Sequence, residues 1–157
     1  MTVPTPDVRP ATTADAEAVA VLSGELGYPA DAVAMRARLD ALVASREHGV
    51  FVACAGGDVV GWIHVAAVLH LQADPRAEIG GLVVSGAMRG RRIGAALVGR
   101  AEAWAREHGF AGILVRSQIM REDAHRFYLR EGTRARRPPP CSRSRSPDLA
   151  GGRARRA

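Results

Sequence analysis

The chain has no lysine and no asparagine, and all 22 of its basic residues are arginine. Both missing residues are encoded by A-rich codons, so the composition reads as that of a GC-rich gene. Without lysine there is no G-K-[ST], which excludes a Walker A phosphate loop, and no G-x-G-x-x-G marks a dinucleotide site. The two cysteines, Cys54 in an apolar run and Cys141 in a polar one, have neither the number nor the spacing of a disulfide framework or a zinc site. Two free thiols and no metal are expected. No apolar run approaches the roughly 18 to 20 residues that span a bilayer. The N-terminal MTVPTPDVRP lacks a basic region followed by an apolar stretch. A cytoplasmic protein with no membrane segment is therefore expected.

What is present is enough, at 157 residues, for one domain with a hydrophobic core. The net charge of +6 raises a nucleic-acid reading, so the position of the charge matters. Residues 133–157 hold eight arginines and one aspartate, a net +7, which leaves residues 1–132 at −1. The folded part is nearly neutral, and the tail, rich in Arg, Pro and Ser without apolar periodicity, is expected to be disordered. Nucleic-acid binding would rest on that tail alone.

Hydrophobic period orders the rest. Val8 to Ala11 reads as a short strand. Thr12 or Thr13 caps a helix with Val19, Leu22 and Leu26 on one face, which Gly27 ends. Asp31 to His48 reads as a second helix through Met35, Leu39 and Leu42. Val50–Ala55 and Val59–Leu69 are strand-like, and Gly56-Gly57-Asp58 between them supplies the positive φ of a tight hairpin. Gln72 to Ala77 reads as a loop and Glu78–Val84 as a strand. Ile93, Leu97, Ala101 and Trp104 mark a helix stopping at Gly109. AGILVRS is a buried strand, and Asp123 to Glu131 a short helix before Gly132. The order predicts a mixed α/β domain whose last two β-α units hold neighbouring parallel strands.

The chemistry concentrates in MRGRRIGAAL, which follows a strand and opens a helix. Backbone N–H groups of a helix first turn lack intrahelical partners and share the positive end of the helix dipole. Gly90 and Gly94 let a phosphate approach the backbone, and Arg89, Arg91 and Arg92 offer forked donors to its oxygens. A pyrophosphate suits such a loop.

LVVSGAMRGRRIGAAL resembles the acetyl-coenzyme A motif of the GNAT superfamily of N-acetyltransferases, [QR]-x-x-G-x-[GA]. Arg89 and Gly94 agree with it, and Arg92 stands where the first glycine is usual. VRPAT, GGDVVGWIHV, AEIGGLVV and REDAHRFYLREG resemble small bacterial members in the same order, so the likeness covers residues 7–132. It implies a central mixed sheet flanked by helices and splayed between its fourth and fifth strands, with acetyl-coenzyme A as cosubstrate. Leu82, Val83 and Val84 would offer backbone groups to the pantetheine arm and thioester. Arg89, Gly90, Arg91, Arg92, Ile93, Gly94 and Ala95 would wrap the pyrophosphate, with Ser117 and Gln118 beside the coenzyme. Tyr128 would protonate the departing thiolate, Glu78 would take the amine proton, and the backbone N–H near Val83 or Val84 would polarise the carbonyl. The implied activity is acetyl transfer to a primary amine of a small molecule or peptide, with a homodimer left open. Relatives end in two further strands, which the tail replaces; an out-of-frame reading of a GC-rich gene yields such a composition.

Other readings of the same residues stand beside these. The arginine loop also reads as a solvated turn, Tyr128 as an amphipathic helix residue, and Glu78 as a strand-edge carboxylate paired with Arg76 or a tail arginine. His64, and His70 where a loop begins, read either as acceptor-pocket residues or as structural ones. An altered C-terminus also suits a non-catalytic or inactivated acyl-coenzyme A-binding protein.

Overall fold

The computed structural model describes residues 5–88 and 90–115. Five strands form one sheet in the order β1-β2-β3-β4-β5: β1 (Asp7–Pro10), β2 (His48–Ala55), β3 (Asp58–His70), β4 (Ala73–Val84) and β5 (Ile113–Val115). The first four are antiparallel neighbours, and β5 joins β4 in parallel, as the β-α pattern predicts. Three helices flank the sheet: α1 (Ala16–Glu25), α2 (Ala32–Val43) and α3 (Ile93–Glu107).

Alternation along the strands gives the sheet two apolar faces. Ile63, Val65, Ala77 and Ile79 meet Ile93, Leu97, Val98, Ala101 and Trp104 of α3. Leu97 is fully buried, a contribution of about 1.5 to 3 kcal/mol. On the opposite face Val50, Val52 and Trp62 meet Val19 and Ala20 of α1 and Met35 and Leu39 of α2. Between β1 and α1, a single 3-10 turn (Thr13–Asp15) is held by Asp15, whose two oxygens accept from Nη1 and Nη2 of Arg9 at 2.9 and 2.8 Å. The Thr12 backbone N–H also donates to Asp15 at 2.8 Å. The Arg9 guanidinium holds this carboxylate below its usual range against the cost of burial, with Thr12 assisting.

The glycine hairpin forms as expected, with φ of +59° at Gly56 and +89° at Gly57. Two of the expected readings change. The second helix stops at Val43 rather than His48, because His48 already pairs with Ala66 as the first residue of β2. Gln72–Ala77 is not a loop: β4 starts at Ala73, since the ladder with β3 continues through Val68 and Arg76 to His70 and Ala73. Pro75 is tolerated at the register shift there, where a missing N–H breaks no regular ladder bond. The expected helix Asp123–Glu131, the tail and any further strands lie outside the described residues. So does the splay, because β4 and β5 pair over Ala77–Ile79 and β5 is described only to Val115. Among the described residues, no helix is long and apolar enough to cross a membrane, and no cluster of three metal-ligating side chains occurs.

Candidate active site

β4 changes register at its centre. His64 of β3 faces Gly81 while Val65 faces Ile79, so one extra residue of β4 bulges out at Gly80. Before the bulge Ala77 and Ile79 enter the α3 core; after it Leu82 and Val84 pack against that core, and Val83 lies opposite Trp62 at 5% exposure. The strand needs glycine here. A Cβ on Gly81 would lie 2.8 Å from the Trp62 ring, and one on Gly80 would lie 3.2 Å from Nδ1 of His64. Pairing with β5 ends at Ile79, so among the described residues the second edge of Leu82, Val83 and Val84 has no strand partner. Its backbone groups are the ones the family resemblance assigns to the pantetheine arm.

The chain leaves β4 through Ser85, whose N–H donates to Val60 O at 2.8 Å, and a 3-10 turn (Gly86–Met88). Gly86 N–H donates to Glu25 Oε2 of α1 at 3.3 Å, tying that helix to the loop. Gly90 (φ +79°) and Arg92 (φ +59°) then turn the chain into α3. Arg92 is the N-cap of α3, in left-handed conformation and making no side-chain capping bond. Glycine, usual at this position of the family pattern, adopts this conformation freely, whereas an L-residue does so at a cost of about 1 to 2 kcal/mol. The amides of Ile93, Gly94 and Ala95 thus open a 15-residue helix without a capping side chain, with exposed Arg91 and Arg92 beside them. This donor set fits a pyrophosphate. Ile93, 3% exposed, anchors the turn in the core rather than facing a ligand with its side chain. Arg91 and Ile93 also border a cleft of about 290 Å³ that reaches Gly56 and Gly57.

Gly61 brings this helix close to the sheet. A Cβ there would lie 2.9 Å from Val83 O, 3.1 Å from Leu97 Cδ1 and 3.3 Å from Ile93 Cγ2. The N-terminal turns of α3 can therefore rest beside Val83 and Val84.

The face of β4 away from α3 carries Arg76 and Glu78, since Ala77 between them is fully buried in the α3 core. Glu78 is partly buried, has an interaction of its own, and pairs in register with Ala66. His64 stands two residues before Ala66, on the same face. Its Nε2 lies 2.9 Å from Nδ1 of His48, one imidazole donating and the other accepting. Burial, then the neighbouring His48, push His64 down to about 4. Near neutral pH its ring is uncharged. His70 is exposed at the end of β3. Two buried donors among the described residues have no hydrogen-bond partner, Trp62 Nε1 and Arg76 Nε.

Of the residues singled out in the sequence, Glu78, Leu82, Val83, Val84, Gly90, Arg91, Arg92, Ile93, Gly94 and Ala95 fall along one continuous path from β4 into α3. Arg89, Ser117, Gln118 and Tyr128 lie outside the described residues. His48 is missed by a sequence reading that ends a helix on it. Its signal is the antiparallel register across Gly56-Gly57, which brings the start of β2 beside the far half of β3.

A mixed sheet with a parallel β4–β5 pair, flanked by helices, and a glycine turn opening α3 agree with the acetyltransferase fold that the family resemblance implies. The family model Acetyltransferase (GNAT) family matches residues 17–132, and the chain belongs to that family. The chain is 40% identical over 136 residues to the aminoalkylphosphonate N-acetyltransferase of Salmonella typhimurium, covering 82% of this chain and 85% of that protein. Among solved structures, a transcriptional regulator from Bacillus halodurans C-125 is similar at 28% identity and a TM-score of 0.73, covering 85% of this chain and 96% of that one. An aminoglycoside 6'-N-acetyltransferase from Acinetobacter haemolyticus shares the fold at 15% identity and a TM-score of 0.73, over 84% of this chain and 93% of that one. This is an N-acetyltransferase that uses acetyl-coenzyme A as cosubstrate and an amine as acceptor.

Proposed function

We propose that the acceptor is the primary amine of a small aminoalkylphosphonate. The observation that carries this reading is the 40% identity to an aminoalkylphosphonate N-acetyltransferase across 82% of the chain, a span too long to reflect the coenzyme loop alone.

In this reading Glu78 takes a proton from the acceptor ammonium, directly or through water, and the free amine attacks the thioester carbon. The new C–N bond forms as the C–S bond breaks, and the nitrogen's second proton leaves to water, from which Tyr128 regains the proton it gives up. The backbone N–H near Val83 or Val84 donates to the carbonyl oxygen as charge develops on it, and Tyr128 protonates the departing thiolate. Leu82, Val83 and Val84 hold the pantetheine arm. Arg89 through Ala95 hold the pyrophosphate, with Ser117 and Gln118 alongside. Support for the loop's role comes from the uncapped first turn of α3 and the flanking arginines. Support for Glu78 comes from its position on β4, four residues before Leu82 and on the face away from α3.

Coenzyme A release measured with 2-aminoethylphosphonate, 3-aminopropylphosphonate, an aminoglycoside and a lysine peptide tests the proposal. Preference for the phosphonates is expected, with Glu78→Gln and Tyr128→Phe each lowering kcat about 10²-fold or more. Preference for the aminoglycoside or the peptide removes the phosphonate reading. Coenzyme A binding without turnover of any amine would instead identify an acyl-coenzyme A-binding protein.

A further inference from the structure

We infer that Arg76 is the anion-binding residue of the acceptor site, holding the phosphonate of a zwitterionic acceptor whose ammonium points to Glu78. The inference rests on the proposed acceptor class and adds the residue that selects it.

The geometry begins with alternation. Arg76 and Glu78 flank Ala77, whose side chain is fully buried against α3, so the two charged side chains leave β4 on the same opposite face. At about 3.3 Å of rise per residue their Cα atoms are roughly 7 Å apart. A cation and an anion at that spacing complement a molecule with an ammonium at one end, an anion at the other and two or three carbons between. The register is regular here, with Ala66 opposite Glu78, Ala67 opposite Ala77 and Val68 opposite Arg76, so the spacing is fixed by paired backbone.

The second observation is the state of the arginine. Its Nε is buried and has no hydrogen-bond partner, while the ion pairs among the described residues are Arg9–Asp15 and Arg100–Glu107. A buried guanidinium N–H left unpaired is unfavourable unless something accepts from it. A phosphonate presents three oxygens to the guanidinium fork, which also binds such groups in bidentate fashion. The direction is consistent as well. The coenzyme loop follows the C-terminal end of β4, and Arg76 stands nearer the N-terminal end, on the far side of Glu78 from Leu82, Val83 and Val84. The acceptor would approach from the end opposite the pyrophosphate.

The test compares 2-aminoethylphosphonate with ethylamine, which keeps the nucleophile and lacks the anion, in the full chain and in Arg76→Gln and Arg76→Lys. In Arg76→Gln the KM for the phosphonate should rise about ten- to a hundredfold with little change in kcat, while the KM for ethylamine stays unchanged. Arg76→Lys should recover part of the loss. Calorimetric titration of methylphosphonate into protein saturated with coenzyme A reads the same site without turnover, and retained coenzyme A binding shows that the variant is folded. Methylphosphonate binding present in wild type and lost in Arg76→Gln supports the inference even where no phosphonate amine is acetylated, an outcome that removes only the proposed acceptor. An unchanged ratio of the two KM values in Arg76→Gln, or no methylphosphonate binding in the wild type, overturns the role of Arg76.

Discussion

The Nδ1 of His48 lies 2.9 Å from the Nε2 of His64, with the two rings stacked at a centroid distance of 5.2 Å. In such a pair one neutral ring donates its N–H to the lone pair of the other. Protonating both rings would set two cations against each other in a partly buried site.

This gives stability a pH dependence with a definite sign. His64 has a folded value near 4 against about 6.5 for the free side chain, so between those values the unfolded chain binds more protons. Stability is present above pH 6.5 and is lost as the pH falls toward 4. The loss from this residue is roughly 3 kcal/mol in all. Thermal melts from pH 7.5 to 4.5 should show the decline, and His64→Gln should flatten it. A variant curve as steep as the wild type's would mean that other groups cause the slope.

Gly61 and Gly24 should respond oppositely to alanine. At Gly61 the new methyl meets the Val83 carbonyl oxygen at 2.9 Å, and a paired strand cannot retreat, so Gly61→Ala should cost about 1 to 3 kcal/mol. It should also weaken coenzyme A binding, because α3 must lift from β4. Gly24, inside α1 with open space around it, should gain about 0.5 to 1 kcal/mol as alanine. Urea unfolding of both variants, with coenzyme A titration of the first, checks the pair.

Arg92 combines a useful charge with an unfavourable backbone, and two substitutions separate the contributions. Arg92→Ala removes the charge and keeps the left-handed strain, whereas Arg92→Gly removes both. The glycine variant should be about 1 kcal/mol more stable than the alanine variant in denaturant unfolding. Both should bind coenzyme A with a weaker salt dependence than the wild type.

Asp15 joins β1 to α1 through Arg9 and Thr12, accepting from both ends of the Arg9 guanidinium and from the Thr12 backbone N–H. Asp15→Ala should cost about 2 to 3 kcal/mol by chemical denaturation. Asp15→Asn, which retains shape and can still accept from Thr12, should lose less.

The legible parts of this protein are those with local causes. Ile93, Leu97, Ala101 and Trp104 announce α3 because a helix repeats every 3.6 residues, and all four are buried. Gly56 and Gly57 announce their turn because positive φ is inexpensive only for glycine. The turn into α3 is legible for the same reason at Gly90, while Arg92 takes a left-handed conformation there without being glycine. Residues 72–77 are polar, contain a proline and were expected to form a loop, yet β3 extends β4 through them by hydrogen bonds no local pattern encodes.

By itself, then, the sequence determined the elements, the glycine turns, the arginine-flanked helix start and membership of an acetyltransferase family, because each depends on neighbours within a few residues. Tertiary structure alone decided which side chains share a face. His48 and His64 are 16 residues apart and meet only because the hairpin register sets them on adjacent strands. Arg76 and Glu78 form a cation–anion pair of positions only because Ala77 between them is drawn into the α3 core. Long-range register, set by burial on both sides of the sheet, brings polar residues that are scattered in the sequence side by side on one face.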